Sequence, residues 1–209
     1  MLFYDCATAP SPRRARMVIA EKGLDIETRQ VSIAEGEQLL PAFLAVNPRA
    51  TVPVLVTDAG TVLTENLGIA AYLEAAFPDP PLMGRSPDEK GLVLMWTAIA
   101  EQQGAQPIAE ALRNGNPRMK DRAVTGTANH AQIPELAARG MARATAFLDL
   151  LEARLGESRF LALDTFSLAD IAAFVFVDFA RVIRLRIPET HTATRAWFDA
   201  IQARPSAQL

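Results

Sequence analysis

The chain has 209 residues, a formal net charge of −3 and a hydrophobic fraction of 50%. A chain of this size and composition can bury a substantial core, in one large domain or two small ones. The small negative charge argues against nucleic-acid binding, because it provides no basic face that would neutralise many phosphates. The one basic run, RRAR at residues 13–16, is expected to form a solvated helix face.

Two further features bear on the compartment and on metal chemistry. Met1 is followed directly by the strand-like LFYDC, without a basic leader or an apolar segment of signal-peptide length, so we expect a cytoplasmic protein. The longest apolar stretch, residues 171–177, is too short to span a bilayer. Cys6 is the only cysteine, which excludes an internal disulfide and a CxxC pair, and with two histidines in the chain no metal site is expected.

The first elements in chain order are a strand, a helix, a second strand and a short helix. MLFYDC predicts the first strand, and Ser11 followed by Pro12 predicts the N-cap and first turn of a helix that ends at Gly23. Residues 26–33 alternate as a second strand does. A short helix then ends before Asn47-Pro48.

A hairpin and a third helix follow. TVPVLVT and TVLTE flank Asp58-Ala59-Gly60, which predicts a hairpin, and a helix runs from Glu65 to about Phe77. This order of elements is thioredoxin-like, with helices on both faces of a mixed sheet. The proline-rich residues 78–87 are typical of a linker between domains.

The second half of the chain predicts helices and no strand. The periodic segments are residues 89–112, 141–155, 167–185 and 194–203. SLAD at residues 167–170 has the spacing of a capping box. We therefore predict an α+β protein with a thioredoxin-like domain at residues 1–77, a linker at 78–87 and an all-helical bundle at 88–209.

Pro53 lies inside an apolar strand, where proline removes a ladder donor and is normally tolerated only at an edge or a bulge. A cis Val52-Pro53 bond would turn the backbone of Val52 outward. Its N–H and C=O would then be free to pair with an extended peptide. An ordinary edge-strand proline is the alternative.

Glu65 and Asn66 stand where the hairpin ends and the third helix begins. Backbone donors at a helix start suit a bound carboxylate, and Glu65 can receive an ammonium group nearby. The pair therefore suits an amino-acid head that carries both charges. Helix capping by Asn66 is the alternative.

Together these features resemble the cytosolic glutathione transferases over essentially the whole chain. The resemblance is carried by NPRATVPVL, TENLGIAAYLE, the proline-rich linker and FSLADIAAF, in this order. The ending IPETHTATRAWFDAIQARPS is similar to the final helices of many bacterial and fungal members. The resemblance implies a detoxifying enzyme that conjugates the glutathione thiolate to electrophilic, mostly apolar small molecules, with glutathione as co-substrate and a homodimer as the assembly.

The resemblance also implies where glutathione binds. The implied binding residues are Thr51, Val52, Pro53, Glu65 and Asn66. The cysteinyl backbone would pair with Val52, and the γ-glutamyl head would sit at Glu65 and Asn66, where the family usually has serine at the second position. Glu101 of the neighbouring subunit is a candidate to assist that head.

The side chain that contacts the glutathione sulfur has no direct counterpart. The family places a Ser or Cys just before the first helix, or a Tyr at the end of the first strand, and matching RRAR to the Arg-x-Arg run that often follows puts Ala9 there. Cys6 falls three residues too early, which disfavours the cysteine-type reductases. Ser11, through its hydroxyl or its N–H, is the candidate donor, with helix capping as the alternative; Thr8 and Tyr4 are further options.

The helical half offers a different source of help. In atypical fungal members with an Ala- or Gly-containing start, a water held by the helical domain is thought to replace the side chain. The segment QPIAEALRNGNP supplies Glu110, Arg113 and Asn114 for such a role.

The acceptor pocket is expected between the domains. Its expected lining residues are Met95, Trp96, Ile99 and Arg113. A Met/Trp/Ile stripe is equally typical of core packing. Two other functions also stay open: a non-catalytic glutathione- or ligand-binding protein, and a glutathione-dependent peroxidase or disulfide reductase.

Overall fold

In the computed structural model, which describes residues 1–209, the N-terminal part of the chain forms a four-stranded mixed sheet. The strands are β1 (Leu2–Asp5), β2 (Glu27–Gln30), β3 (Val54–Val56) and β4 (Val62–Leu63). Their order is β2-β1-β3-β4. Strand β1 is parallel to β2 and antiparallel to β3, and β3 and β4 form the predicted hairpin.

Three helices accompany this sheet. They are α1 (Pro10–Glu21), α2 (Pro41–Leu44) and α3 (Asn66–Ala76). Tyr4 packs with Phe43 of α2, whereas Phe3, its neighbour in β1, points to the opposite face of the sheet because side chains alternate along a strand. Helices α1 and α3 pack against each other. The predicted thioredoxin-like arrangement is confirmed.

The chain divides into two units between Pro80 and Pro81. The first unit contains residues 1–80 together with the short segment 125–128 and Leu209, and the second contains residues 81–124 and 129–208. A buried cation holds the end of the first unit. The ammonium of Lys22, whose side chain is fully buried, lies 2.7 Å from the Glu74 carboxylate and donates to the carbonyls of Phe77 and Pro80.

The second unit is helical, as predicted. Its helices are α4 (Pro87–Ile99), α5 (Gln106–Gly115), α6 (Pro134–Leu155), α7 (Leu168–Phe179) and α8 (Thr192–Gln202). The one extended pairing in this unit is an isolated bridge between Arg122 and His130. No helix of the protein has both the length and the apolar character that crossing a membrane requires.

The helix predicted over residues 89–112 is interrupted in the structure. A π-helical segment, Ala100–Ala105, separates α4 from α5. Pro107 explains the interruption, because proline has no N–H for the carbonyl four residues before it and its ring crowds that turn. The guanidinium of Arg143 donates to the Gln102 carbonyl at 2.8 Å and so satisfies one backbone acceptor of the widened turn.

Helix α6 begins at Pro134, earlier than the predicted start at residue 141, because PELAARG lacks an apolar periodicity. The first turns of α6 are instead stabilised by close packing against α5 around Gly140. A Cβ added to Gly140 would lie 2.6 Å from the Pro107 carbonyl oxygen and 2.7 Å from the Ala111 nitrogen. Only glycine fits at this crossing.

The predicted capping box at residues 167–170 is confirmed. Both oxygens of the fully buried Asp170 carboxylate are used: Oδ2 accepts from the N–H and hydroxyl of Ser167, and Oδ1 from the Leu161 N–H and the Trp197 indole. Burial raises the pKa of Asp170, and these hydrogen bonds oppose the rise. One carboxylate thus ties the start of α7 to α8.

Gly140 can be tested against a second mid-helix glycine. We expect Gly140→Ala to lower the free energy of unfolding by about 1–3 kcal/mol, because the added methyl meets backbone atoms that cannot move alone. Gly91, in α4, has no atom within 4 Å of its added Cβ. Gly91→Ala should therefore raise stability by about 0.5–1 kcal/mol through its better helix propensity. Urea unfolding measures both changes, and equal effects at the two sites would contradict the close packing at Gly140.

Candidate functional site

The site is built around the start of α1. Ala9, in extended conformation and with no side-chain cap, is the N-cap, and Pro10 is the first helical residue. Ser11 is the second helical residue, so its predicted N-cap position is wrong. The reason lies in the two prolines that flank Ser11: either one fits the first helical position, and the structure uses Pro10.

Ser11 contributes the only free backbone donor of this helix start. The first N–H groups of a helix have no partner within the helix. Pro10 and Pro12 carry no N–H, and the Ala9 N–H donates to the Cys6 carbonyl at 3.0 Å. The Ser11 N–H therefore remains available at the positive end of α1.

The Ser11 hydroxyl is held from α3. Glu65 is the N-cap of α3 and Asn66 its first residue, so the capping interpretation of Asn66 is wrong. Instead, the Asn66 Nδ2 donates to the Ser11 Oγ at 2.8 Å. Because this bond uses the oxygen as an acceptor, the hydroxyl proton of Ser11 can be donated elsewhere. The buried Asn66 Oδ1 has no hydrogen-bond partner.

The Val52-Pro53 peptide bond is cis, as one of the two sequence interpretations predicts. Pro53 immediately precedes β3. No hydrogen bond within the chain engages the N–H or the C=O of Val52. An unpaired stretch of backbone therefore adjoins a sheet strand.

Asn47 fixes this backbone and is not among the residues that the sequence predicts for the site. The buried side chain donates from Nδ2 to the Thr51 carbonyl at 2.8 Å and to the Thr51 hydroxyl at 3.0 Å, and its Oδ1 accepts the Arg49 N–H at 3.0 Å. Between them, Ala50 has a positive φ of 54°. An Asn-Pro turn was the available sequence signal for this role.

Glu65 forms an ion pair with Arg49. Both side chains are more than 60% exposed, at 63% and 64%, so the pair contributes little to stability. The carboxylate of Glu65 consequently remains accessible to an ammonium group from a ligand.

The other predicted contacts to a sulfur are less favourably placed. Tyr4 is buried on the α2 face, with its ring edge against Phe43 at a centroid distance of 5.8 Å. Cys6 is 5% exposed, and its Sγ lies 3.5 Å from the Thr8 hydroxyl. Of these candidates, only Ser11 lies in the first turn of α1 and has its hydroxyl held from α3.

The expectation of a solvated face for the RRAR run is wrong for Arg16. Its side chain is 14% exposed and pairs with the buried Asp5. The partner lies eleven residues away in β1, a distance at which helical charge patterning carries no information.

The residues of the helical unit that are predicted to line the acceptor pocket lie in three different environments. Met95 is exposed, and Ile99 lies one turn further along the same face of α4. The Arg154 guanidinium lies over the ring of Trp96, with its Cζ 5.4 Å from the ring centroid. The half-buried Arg113 donates to the Arg122 carbonyl at 2.8 Å, and burial, followed by the charge of Arg122, lowers its pKa.

The groups considered for holding a water are engaged within the helical unit. Glu110 forms ion pairs with Arg139 and Arg143. Asn114 donates to the Glu110 carbonyl and accepts the Ile133 N–H, each at 3.0 Å. These contacts hold α5 to α6. Because the polar atoms of Glu110 and Asn114 are already engaged in them, the structure disfavours a role for these side chains in holding a water.

A thioredoxin-like domain followed by a helical domain is the architecture that the family comparisons identify. The model of the glutathione S-transferase N-terminal domain matches residues 8–76, and that of the C-terminal domain matches residues 134–200. Glutathione S-transferase 2 of Saccharomyces cerevisiae is 32% identical over 210 residues, covering 100% of this chain and 88% of its own length. Glutathione S-transferase F9 of Arabidopsis thaliana is 29% identical over 200 residues, covering 94% and 89%.

Solved structures agree. Gtt2 from Saccharomyces cerevisiae superposes with a TM-score of 0.90 at 32% identity, covering 100% of this chain and 99% of that one. A Gtt2-class glutathione S-transferase of Vibrio parahaemolyticus gives 0.84 at 29% identity, covering 100% and 96%. The chain therefore belongs to the glutathione S-transferase family.

The role of Asn47 can be isolated because the sequence NPR occurs twice. In both copies the Asn Oδ1 accepts the N–H of the arginine two residues later at 3.0 Å, but only Asn47 also holds Thr51. We expect Asn47→Ala to lower unfolding free energy by about 1–3 kcal/mol. It should also weaken glutathione binding about tenfold, the equivalent of about 1.4 kcal/mol. Asn116→Ala is the matched control, and calorimetric titration should show that its affinity for glutathione is unchanged. An unchanged glutathione affinity in Asn47→Ala would contradict a role of Asn47 in holding the backbone to which glutathione binds.

Proposed function

We propose that this protein is an active glutathione transferase in which Ser11 stabilises the glutathione thiolate. The observation that carries the proposal is the contact between two uncapped helix starts, made by the 2.8 Å hydrogen bond from Asn66 to Ser11. It leaves a hydroxyl proton and a free N–H available at one point. Both are donors suited to a negatively charged sulfur.

The proposed binding mode uses the three adjacent features of the first unit. The cysteinyl backbone of glutathione pairs with the N–H and C=O of Val52, beside Pro53, and Thr51 is held in place by Asn47. The γ-glutamyl carboxylate is received at the start of α3, by its backbone donors and Asn66. The γ-glutamyl ammonium approaches the exposed carboxylate of Glu65.

The energy required at the sulfur is modest. A thiol has a pKa near ~8.5, and lowering it to neutrality requires about 2 kcal/mol. A hydrogen bond to a charged acceptor contributes about 1.5–3 kcal/mol, and a helix N-terminus about 0.3–1 kcal/mol. Ser11 at the start of α1 therefore supplies enough stabilisation without a Tyr, Cys or Ser at the position of Ala9.

The reaction that follows is nucleophilic substitution at carbon. The thiol proton goes to solvent and the sulfur lone pair forms a bond to an electrophilic carbon. In a substitution the leaving group departs with the electron pair of the broken bond. We propose apolar electrophiles as acceptors, with Met95, Ile99 and Arg113 as contributors to their binding, and alkyl or aryl transfer as the reaction.

Two other functions make different predictions. A non-catalytic binding protein is favoured by Ala9, which cannot donate a hydrogen bond to the sulfur. A glutathione-dependent peroxidase or disulfide reductase is disfavoured by the burial of Cys6. Activity toward hydroperoxides or mixed disulfides would support this last function.

The cellular setting belongs to the proposal as well. We propose a cytoplasmic homodimer with a role in detoxification, as the family resemblance implies. The proposed assistance from Glu101 depends on this dimer.

The proposed role of Ser11 predicts a specific pH effect. In Ser11→Ala, the pH midpoint of thiolate absorbance of bound glutathione should rise by about one unit, about 1.4 kcal/mol, while the N–H remains. Conjugation of a generic aryl halide at neutral pH should fall correspondingly. Thr8→Val is the control and should leave the midpoint unchanged.

Two results would contradict this account at different levels. An unchanged midpoint in Ser11→Ala would remove Ser11 from the mechanism while leaving the enzyme. Tight glutathione binding without turnover by the unaltered protein would instead support the non-catalytic function.

A further inference from the structure

Two side chains, those of Arg16 and Gln30, hold the loop that joins β1 to α1, at residues 6–9. The Arg16 guanidinium donates to the carbonyls of Cys6 and Ala7, at 3.3 and 3.2 Å. The Oε1 of Gln30 accepts the Ala7 N–H at 3.1 Å. The loop thus has its polar backbone fixed by side chains from α1 and β2.

Asp5 connects the two clamping side chains. Its buried carboxylate accepts from Arg16 on Oδ1 and from the Nε2 of Gln30 on Oδ2, the latter at 2.8 Å. Its carbonyl accepts the Val31 N–H at 2.7 Å. Burying a charge is costly unless it is paired and hydrogen-bonded, and here both oxygens are engaged.

The loop ends at Ala9, the N-cap of α1, two residues before Ser11. Any shift of residues 6–9 is therefore transmitted to the Ser11 hydroxyl and N–H. The sequence predicts that Arg16 faces solvent, but in the structure its guanidinium forms an ion pair with the buried Asp5.

We propose that Asp5, Arg16 and Gln30 form a positioning network that holds the β1–α1 loop, and with it Ser11, in the geometry required at the glutathione sulfur. This inference rests on the proposed function of Ser11. None of the three residues touches the substrate in this account. They act through the loop.

Gln30→Met provides the cleanest test, because Gln30 is exposed and its replacement removes both hydrogen bonds at little cost to folding. We expect kcat for aryl-halide conjugation to fall about tenfold with glutathione KM changed less than about threefold, as for a displaced catalytic group. The thiolate midpoint should rise, and hydrogen exchange at the Ala7 amide should accelerate. Thr28→Val, an exposed change in the same strand, should alter none of these.

Arg16→Met tests the buried pair, with Lys22→Met as its matched control. Both changes break a buried ion pair of the first unit, and both should lower the melting temperature. Only Arg16→Met should also lower kcat and raise the thiolate midpoint. Arg16→Lys should recover part of the stability but not kcat, since a single ammonium nitrogen cannot reproduce the planar fork by which Arg16 reaches Asp5 and Cys6 from Nη1 and Ala7 from Nη2.

The outcomes distinguish a failure of the positioning network from a failure of the proposed function. Faster Ala7 exchange in Gln30→Met with unchanged kcat and midpoint would overturn the positioning role and leave a purely structural one. Equal losses of kcat in Arg16→Met and Lys22→Met would overturn it as well. Absence of turnover in the unaltered protein would defeat the proposed function, while the exchange rates and the midpoint would still decide on the network.

Discussion

The hydrogen bond between Asn66 and Ser11 is the contact on which the rest of the site depends. It joins residues 55 positions apart and sets the start of α1 against the start of α3. Each helix is left without a side-chain cap, so its first donors are available to a ligand. The two prolines beside Ser11 concentrate the free donors of α1 on a single residue.

Two buried ion pairs hold α1 in place. Arg16 pairs with Asp5 beneath the loop that leads into the helix, and Lys22 pairs with Glu74 where the helix ends. Charges buried in this way are costly when one partner is lost, so each pair strongly resists displacement of the helix. Of the two pairs, only that of Arg16 adjoins the loop that leads to Ser11, so it is the one that bears on the position of the donors at the sulfur.

Local sequence patterns predicted most of the fold because turns, caps and proline geometry depend on residues that are close together in the chain. The hairpin, the cis bond at Pro53 and the capping box at residues 167–170 are each confirmed. The errors arose from distant partners: Asn66 bonds Ser11 instead of capping α3, and Arg16 pairs with Asp5 instead of facing solvent. Ser11 was misplaced as the N-cap because Ala9, the true N-cap, has no capping atom that a pattern could register.

The central claim, that Ser11 contacts the sulfur, is tested most directly by a crystal structure of the protein with bound glutathione. The account predicts the sulfur within about 3.5 Å of the Ser11 hydroxyl or N–H, with the cysteinyl backbone paired to Val52. A sulfur whose nearest donor belongs to any other residue, or to a water held by the helical unit, would contradict it.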